Sequence, residues 1–530
     1  MLDFRSMLRG IACGGAVAIC VLALAAQREQ PFRATTRMVE LNVVASDREG
    51  RPVENLAQED FTILDGGREE RIAVFRFEKA AVRAPKPLPA GVYSNRIDEL
   101  GSAPSAATVI LFDGLNTPFA DQAYARDQIL KFAGQLRPGD RVALYVMGRG
   151  PRVLQDFTDD PLRLAKALAN FKGELAPSLE APLYDPDVTA AGHFGSWLGE
   201  LSYNLYDHFA ADRAYRTLRA LIAIANHLER LPGRKNLIWV SGTFPLTLAQ
   251  DSLAAPRKRP GSEKIPETER AVRALSRADL AVYTVDARGL VATQEYVGDL
   301  RNPRLKNPDT SGQVVMRLLA DRTGGRAFYN NNDLAAALRR AADDARASYV
   351  LGYYPSHQSW NGRFRPVEVK VRRPEAVLQY RHGYYAQPGE PSEPWYRENV
   401  LDAAIWSPLD ASGLGLTVRM TPASGGAIRL GIQVDARNLT FYENRGKHEC
   451  ALDTWVVQID REEHEVKRAA KANNLSLDAE TYRRVTEAGG LMLVEQVSPE
   501  PGTMVLRVLA RDVASGVLGS VTIPWKGSAN

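Results

Sequence analysis

The sequence predicts an α/β protein: a doubly wound, mainly parallel sheet flanked by an N-terminal β module and a C-terminal β-sandwich. Three observations predict it. First, short apolar runs at 109–112, 142–147, 236–240 and 280–285 each end near a polar residue and, with the short edge strand noted below, alternate with helical patterns. Strands buried on both faces read as such continuous runs, and strand–helix alternation is the pattern of a parallel sheet covered on both sides. Second, the flanking runs at 38–45 and 367–371 alternate apolar with polar, as half-solvated strands do. Third, the stretch from 395 to 526 holds regular short strand signals separated by Gly and Pro turns, with slight helical signal.

The bulk properties set limits. At 530 residues the chain is too long for one core, so several domains are expected. It is 45% hydrophobic and 25% charged, ordinary globular usage. A formal net charge of +4 and the lack of an aromatic-interleaved basic patch give no case for nucleic acid. Arg257, Lys258 and Arg259 read as a solvated loop. Residues 1–26 read as a signal peptide: Arg5 and Arg9 precede an apolar stretch over 11–26, and Ala23-Leu24-Ala25 offers a small-x-small cleavage site. The stretch is shorter than the ~20 residues of a membrane span. The expectation is export to the periplasm, the cell envelope or beyond, with no span after cleavage; a retained anchor is the rival reading. Cys13 and Cys20 leave with the peptide, so only Cys450 remains and no internal disulfide is expected.

In chain order, 32–79 is the β module, with strands near 38–45, 61–64 and 72–77. Asp47 and Asp65 read as turn residues rather than calcium ligands. The Pro-, Ala- and Gly-rich segment 80–105 reads as a linker. The α/β domain occupies 106–355. A helix over 118–136 turns Ala123, Ile129, Leu130, Phe132, Ala133 and Leu136 inward and stops at Pro138-Gly139. Residues 152–155 read as an antiparallel edge strand. Thr158 or Asp159 caps the next helix, with Pro161 in its first turn. The stretch 172–212 reads as long, irregular and aromatic-rich, which in a compact domain points to function. Helices follow over 215–231, 267–278, 314–322 and 334–347. Residues 356–390 form a β extension packing on the first module, and 395–526 the sandwich.

The run 109–112 empties into Asp113-Gly114-Leu115-Asn116-Thr117, the kind of loop that collects ligands at the carboxyl edge of an α/β sheet. Side-by-side parallel strands make Asp113, Ser241 and Asp286 neighbours at that edge. Taken alone, Asp113, Asn116 and Thr117 read as caps of the following helix. Enzyme signatures are incomplete. Ser241-Gly242 ends a buried strand like half of a nucleophile elbow, but Trp239 holds the position of the first glycine. There is no His-Glu-x-x-His, no phosphate loop and no paired-cysteine spacing, and His193, His208 and His227 form no recognisable ligand set.

Loop 113–117, 140–147, Phe157-Thr158-Asp159, 232–242 and 283–286 follow one another in the order of a von Willebrand factor type A domain. The first loop resembles that family's metal-site pattern Asp-x-Ser-x-Ser, with Leu115 in place of the middle serine. Asp-x-x-Asn-Thr together with Pro-Gly-Arg-Lys-Asn-Leu-Ile-Trp and a Tyr-x-x-Gly-Tyr-Tyr-Pro exit resembles a bacterial, acidobacterial-type group of exported proteins built around such a domain. The resemblance spans about 30–385 and, more weakly, the sandwich. It implies a Mg²⁺ or Mn²⁺ ion held by oxygen ligands. Asp113 and Thr117 match two of them, Thr217 corresponds to the second-loop threonine, and Ser241 stands where the second aspartate belongs. Asn116 can substitute in part, and Asp286 lies one strand over. With one carboxylate instead of two, the expectation is a degenerate metal site and no cofactor, any Mg²⁺ or Mn²⁺ resting on Asp113, Thr117 and Thr217. The function expected is that of an exported, non-enzymatic, adhesion-type interaction protein. It would bind an unknown protein or peptide at the edge formed by Asp113, Asn116, Thr117, Thr217, Ser241 and Asp286. The alternatives are a serine hydrolase-like enzyme using Ser241 with Asp286 and a histidine of the insertion, and a purely structural envelope protein.

Overall fold

The computed structural model describes residues 38–79, 88–96, 107–137, 139–148, 150–171, 192–231, 233–244, 267–290, 308–357, 359–386, 394–487 and 489–525, with side chains from 211 onward in the helix that starts at 192. Residues 1–26, read from the sequence as a signal peptide, lie outside them. No described helix is long and apolar enough to cross a membrane.

Six strands build the central sheet: β1 (Ala107–Asp113), β2 (Val142–Met147), β3 (Pro151–Thr158), β4 (Lys235–Ser241), β5 (Leu280–Asp286) and β6 (Ala327–Phe328). Their spatial order is β3-β2-β1-β4-β5-β6. All pairs are parallel except β2–β3, whose antiparallel edge strand follows a tight turn. The helices are α1 (Phe119–Ala133), α2 (Pro161–Asn170), α3 (Gly192–Leu228), α4 (Glu267–Arg277), α5 (Pro308–Thr323) and α6 (Leu334–Asp343). Side-chain alternation along β1 divides the core. Val109 and Leu111 pack with Tyr145, Trp239, Leu221 and Leu275 on one face. Ile110 and Phe112 pack with Ile129, Phe132, Leu164 and Leu338 on the other. Both faces are covered, so β1, β2, β4 and β5 are buried at every position. The doubly wound α/β sheet is therefore as the apolar runs predict.

Local expectations are corrected at three helices. The first helix starts at Phe119 with Pro118 at its cap and no side-chain cap bond, so Asp113, Asn116 and Thr117 do not cap it. Instead Gln122 Nε2 reaches back to the carbonyls of Thr117 (2.9 Å) and Gly114 (3.3 Å). The second helix is capped by Asp160, not Thr158 or Asp159: proline at the first helical position fixes the cap one residue before it. The stretch read as irregular is helical from Gly192, because no proline interrupts the chain between 186 and 232; residues 172–191 lie outside the described ones.

The regions flanking the sheet are also corrected. The N-terminal module and the later extension are one β unit interrupted by the α/β domain. One four-stranded sheet runs Val377–Gln379, Val39–Ser46, Ala347–Tyr353, Ile72–Lys79, and another runs Gly383–Tyr385, Phe364–Val371, Phe61–Asp65, Arg68–Glu70. Strands from each half sit between strands of the other, which covers edges that a module over 32–79 would leave open. The presumed linker is likewise structural. Val92–Ser94 adds a strand to Leu416–Pro422 of the sandwich. Asn95 Nδ2 donates to the carbonyls of Ala411 (2.6 Å) and Leu414 (2.9 Å), and its Oδ1 accepts from Leu416 N (2.7 Å). The sandwich closes over Val418, Leu430, Ile432, Leu452, Leu506 and Val508. It also carries two helices, Pro394–Ile405 and Ala479–Glu487. Cys450 is buried within it, and burial pushes its thiol up to about 11.

One carboxylate holds the junction. Asp435 of the sandwich, with a fully buried side chain, meets Arg96 of the former linker (3.4 Å), Arg230 just beyond α3 (2.9 Å) and Arg437 (2.8 Å). Burial raises its pKa, but hydrogen bonds from Arg437 and the charges of Arg230 and Arg96 outweigh that and bring it down to about 2. A carboxyl held below its unfolded value contributes stability above that value and loses it as pH falls through the folded one. Asp435→Asn should therefore cost about 2 kcal/mol at pH 7, read from urea unfolding, and the gap to the parent protein should narrow as pH falls from 4 towards 2. An equal gap at pH 7 and pH 3 would deny the ionic origin.

Candidate functional site

In this strand order the chain leaves β1 towards β2 and β4 towards β5, and α1 and α4 pack on opposite faces. The loops after β1 and β4 diverge there and leave the crevice at which open α/β sheets bind ligands. The register sets Phe112 opposite Val240 and Asp286 opposite Ser241, so Asp113, Ser241 and Asp286 share one edge. Asp113 lies within hydrogen-bond distance of Ser241, while Asp286 is turned elsewhere.

Asp113 has no solvent exposure and is the hub of this edge. Its Oδ1 accepts from the backbone N–H of Asn116 (3.0 Å). Its Oδ2 accepts from Asn116 Nδ2 (2.8 Å), Trp239 Nε1 (2.8 Å) and the Ser241 hydroxyl (3.0 Å). Three N–H donors hold the carboxylate, one on Oδ1 and two on Oδ2, and the Ser241 hydroxyl adds a contact it shares with the Thr243 carbonyl. The second proton of Asn116 Nδ2 goes to Thr217 Oγ1 on α3 (2.9 Å). Thr117 Oγ1 accepts from Gly242 N (2.9 Å), and Asn116 O accepts from both the N–H and the hydroxyl of Thr243. Asn116, Thr117, Thr217 and Ser241 have no solvent exposure either. Burial pushes the Asp113 carboxyl up to about 6, against the opposing hydrogen bonds from Asn116, Trp239 and Ser241.

This donor set does not fit a divalent cation. The Asn116 amide nitrogen stands between Asp113 and Thr217, bonding both, where a bridging ion would need their oxygens. Leu115 offers only methyls, and Asn116 Oδ1 is buried without a partner. Among the described residues no cluster of three or more His, Cys, Asp or Glu side chains is placed to hold a metal.

Asp286 joins the edge in register only. Its carboxylate is clasped by Arg288, whose Nε and guanidinium N–H lie at 3.0 and 2.9 Å and whose backbone N–H adds a third bond at 3.0 Å. The hydrolase alternative is therefore corrected at two of its members. Ser241 Oγ is buried, its single proton shared between Asp113 Oδ2 (3.0 Å) and the Thr243 carbonyl (2.7 Å), and Asp286 is paired with arginine. His227 bonds the Asp410 carbonyl through Nδ1 (2.7 Å), and the side chains of His193 and His208 lie outside the described ones. Sequence reasoning missed Trp239 and Arg288. Each carried a signal. Trp239 stands two residues before Ser241 and so faces the same side of the strand. Arg288 follows Asp286 at the spacing of an aspartate-led turn.

No family model matches the chain, and no curated protein matches it. Solved structures do. An aerotolerance-related membrane protein from Bacteroides fragilis matches at 13% identity over 45% of this chain and 98% of its own, with a TM-score of 0.26. The von Willebrand factor domain of the type V pili tip protein Mfa5 from Porphyromonas gingivalis matches at 11% identity over 44% and 93%, with a TM-score of 0.26. A von Willebrand factor type A protein from Catenulispora acidiphila matches at 10% identity over 86% and 74%, with a TM-score of 0.25.

The Asp113 network has a pH signature. A carboxyl whose folded value lies above its unfolded one contributes stability that is present below the unfolded value and lost as pH rises through the folded one. From 3.8 to about 6, that contribution is about 3 kcal/mol. Asp113→Asn lacks the titration and turns an NH₂ towards the donors, costing ~2–3 kcal/mol at pH 7. The difference in unfolding free energy between the parent and Asp113→Asn should widen by about 3 kcal/mol between pH 7 and pH 4 in urea titrations. A difference independent of pH would mean that the carboxylate stays ionised throughout.

Proposed function

We propose that this chain is an exported, non-enzymatic binding protein that engages a protein or peptide partner over the loop edge of its α/β domain, without a divalent cation. The observation that carries the reading is the engagement of Asp113 by Asn116, Trp239 and Ser241 in a site closed to solvent. A satisfied buried polar network is rigid, and rigid platforms present recognition groups without ordering costs. The groups presented are those around it. Phe119, opening α1 directly after the network, is 51% exposed, and Leu290, just past Arg288, is 63% exposed. These two exposed apolar side chains, each next in the chain to the Asp113 or Asp286 cluster, are the contact groups of the proposed surface. The serine of a hydrolase needs access to substrate, and Ser241 has no solvent exposure. The targeting-type segment 1–26 supports export.

Two experiments test this. Millimolar Mg²⁺ should leave the melting temperature of the parent protein unchanged. Because the Asn116 amide fills the bridging position, recovery of a Mg²⁺-dependent shift should take Leu115→Ser, Asn116→Ser and Ser241→Asp together. Restoring one charge beside a divalent ion is worth ~2–3 kcal/mol after desolvation, or about 30- to 150-fold in affinity. Micromolar Mg²⁺ binding by the parent, abolished by Asp113→Ala, would overturn the cation-free reading. Separately, the protein immobilised and exposed to an envelope extract should retain a partner equally with and without chelator. Phe119→Asp or Leu290→Asp should reduce retention about tenfold with melting unchanged. Retention indifferent to both substitutions would move the interface elsewhere.

A further inference from the structure

A second feature lies between the α/β domain and the sandwich and shares none of its lining residues with the loop edge. The outer side of α3, the helix Pro394–Ile405 and the segment 406–411 enclose a cleft of about 480 Å³. It is continuous, through Ile222, Asn226 and Arg270, with a smaller recess of about 90 Å³ against α4 and the sandwich strand Leu518–Pro524. The larger volume is within the range of ligand sites.

The lining is basic and aromatic. Six arginines face two carboxylates, Glu229 and Asp402. Both carboxylates are engaged: Glu229 by Arg277 at 2.9 Å and Asp402 by Arg468 at 3.7 Å. Two of the arginines also pair outside the lining, Arg216 with Asp212 at 2.8 Å and Arg511 with Asp453 at 2.7 Å. Arg219 has no carboxylate within salt-bridge distance among the described residues. Its guanidinium meets the Tyr215 hydroxyl at 3.4 Å and lies 5.7 Å from that ring. Tyr215 and Trp406, at opposite walls of the cleft, are 46% and 42% exposed.

We propose that this cleft binds an acidic peptide segment of a partner protein, in extended form, with carboxylates on the arginines and apolar side chains against the aromatic walls. Charge complementarity carries the choice, since planar guanidinium pairs carboxylates through two parallel bonds. Length and composition narrow it. From Tyr215 to Asn226 the helix runs ~17 Å, room for about five extended residues at ~3.3 Å each. The arginines are separated by apolar wall, Ile222, Ala404 and Pro408 among it, which suits alternating acidic and apolar side chains and not the continuous charge of a polyphosphate.

The test uses the full chain and a fluorescein-labelled five-residue peptide of alternating glutamate and leucine, followed by fluorescence anisotropy. Saturable binding is expected, weakened about tenfold by Arg219→Glu and by Arg270→Glu, several-fold by Trp406→Ala, and less than twofold by Lys370→Glu, a charge reversal on another sheet. Arg219 lies on the helix surface, so Arg219→Glu should melt as the parent does and keeps the test valid if Arg270→Glu does not fold. Equal weakening by Arg219→Glu and Lys370→Glu, no saturation below millimolar peptide, or equally tight binding of tripolyphosphate would each overturn the proposal.

Discussion

The structure depends on burying one carboxylate at the point where the sheet reverses its winding. Asp113 ends the central strand, and both faces of that strand are covered, so the charge cannot reach water. A buried charge must be paired or hydrogen-bonded, or it loses its proton balance and moves its pKa. Among the described residues no lysine or arginine bonds it. Its partners come from three elements instead: the loop after β1 through Asn116, β4 through Trp239 and Ser241, and α3 through the Asn116–Thr217 bond. The same bonds that satisfy the charge therefore fix the crevice between β1 and β4 and the seating of α3. Burial still outweighs these bonds and raises the carboxyl to about 6, so the hub takes up its proton at higher pH than an exposed aspartate would.

A second consequence follows from where the α/β domain is inserted. It interrupts a β unit whose halves interleave, so its two ends are held by antiparallel pairing of Ala347–Tyr353 with Ile72–Lys79. Rings of Phe61, Phe75, Phe77 and Tyr349 pack across that pairing, and the Tyr349 hydroxyl donates to the Val53 carbonyl. On the far side, the strand at 92–94 and the Asp435 cluster join the chain before the domain to the sandwich after it. Insertion points fixed on both sides leave the α/β domain little freedom to rotate against its neighbours. A cleft between α3 and the sandwich is in consequence a preformed feature of the fold.

What was legible in the sequence follows from which interactions are periodic. The sheet was readable because continuous apolar runs between helices have one physical solution, and parallel register then brings Asp113 and Ser241 together without further information. The antiparallel edge strand was readable from two glycines bracketing a turn. The interleaving of the two β regions was not, because alternation marks a half-buried strand and says nothing of which partner completes it. The strand at 92–94 was hidden because a Pro- and Gly-rich composition marks punctuation and not whether Asn95 finds backbone partners more than 300 residues away. Likewise the role of Asn116 turned on its two amide protons meeting acceptors from β1 and α3. A loop motif that compares oxygen ligands has no term for a nitrogen standing between them.

That substitution also shapes what the edge can recognise. A cation with an open coordination position recognises a carboxylate strongly and with little regard for its surroundings, since most of the attraction is charge. An amide held between two acceptors has no donor left to offer, the Ser241 proton is shared between Asp113 and Thr243, and Thr117 Oγ1 accepts from the backbone of Gly242. Under the binding role proposed above, selectivity at this edge rests on shape and apolar contact at Phe119 and Leu290, with the Asp286–Arg288 pair neutralising itself nearby. On the outer side of α3 the surface is different, since Arg219 lines the cleft while Thr217, two residues earlier, faces the network. One helix thus separates a neutral, rigid surface from a basic one, and the division follows from the 100° step between successive residues.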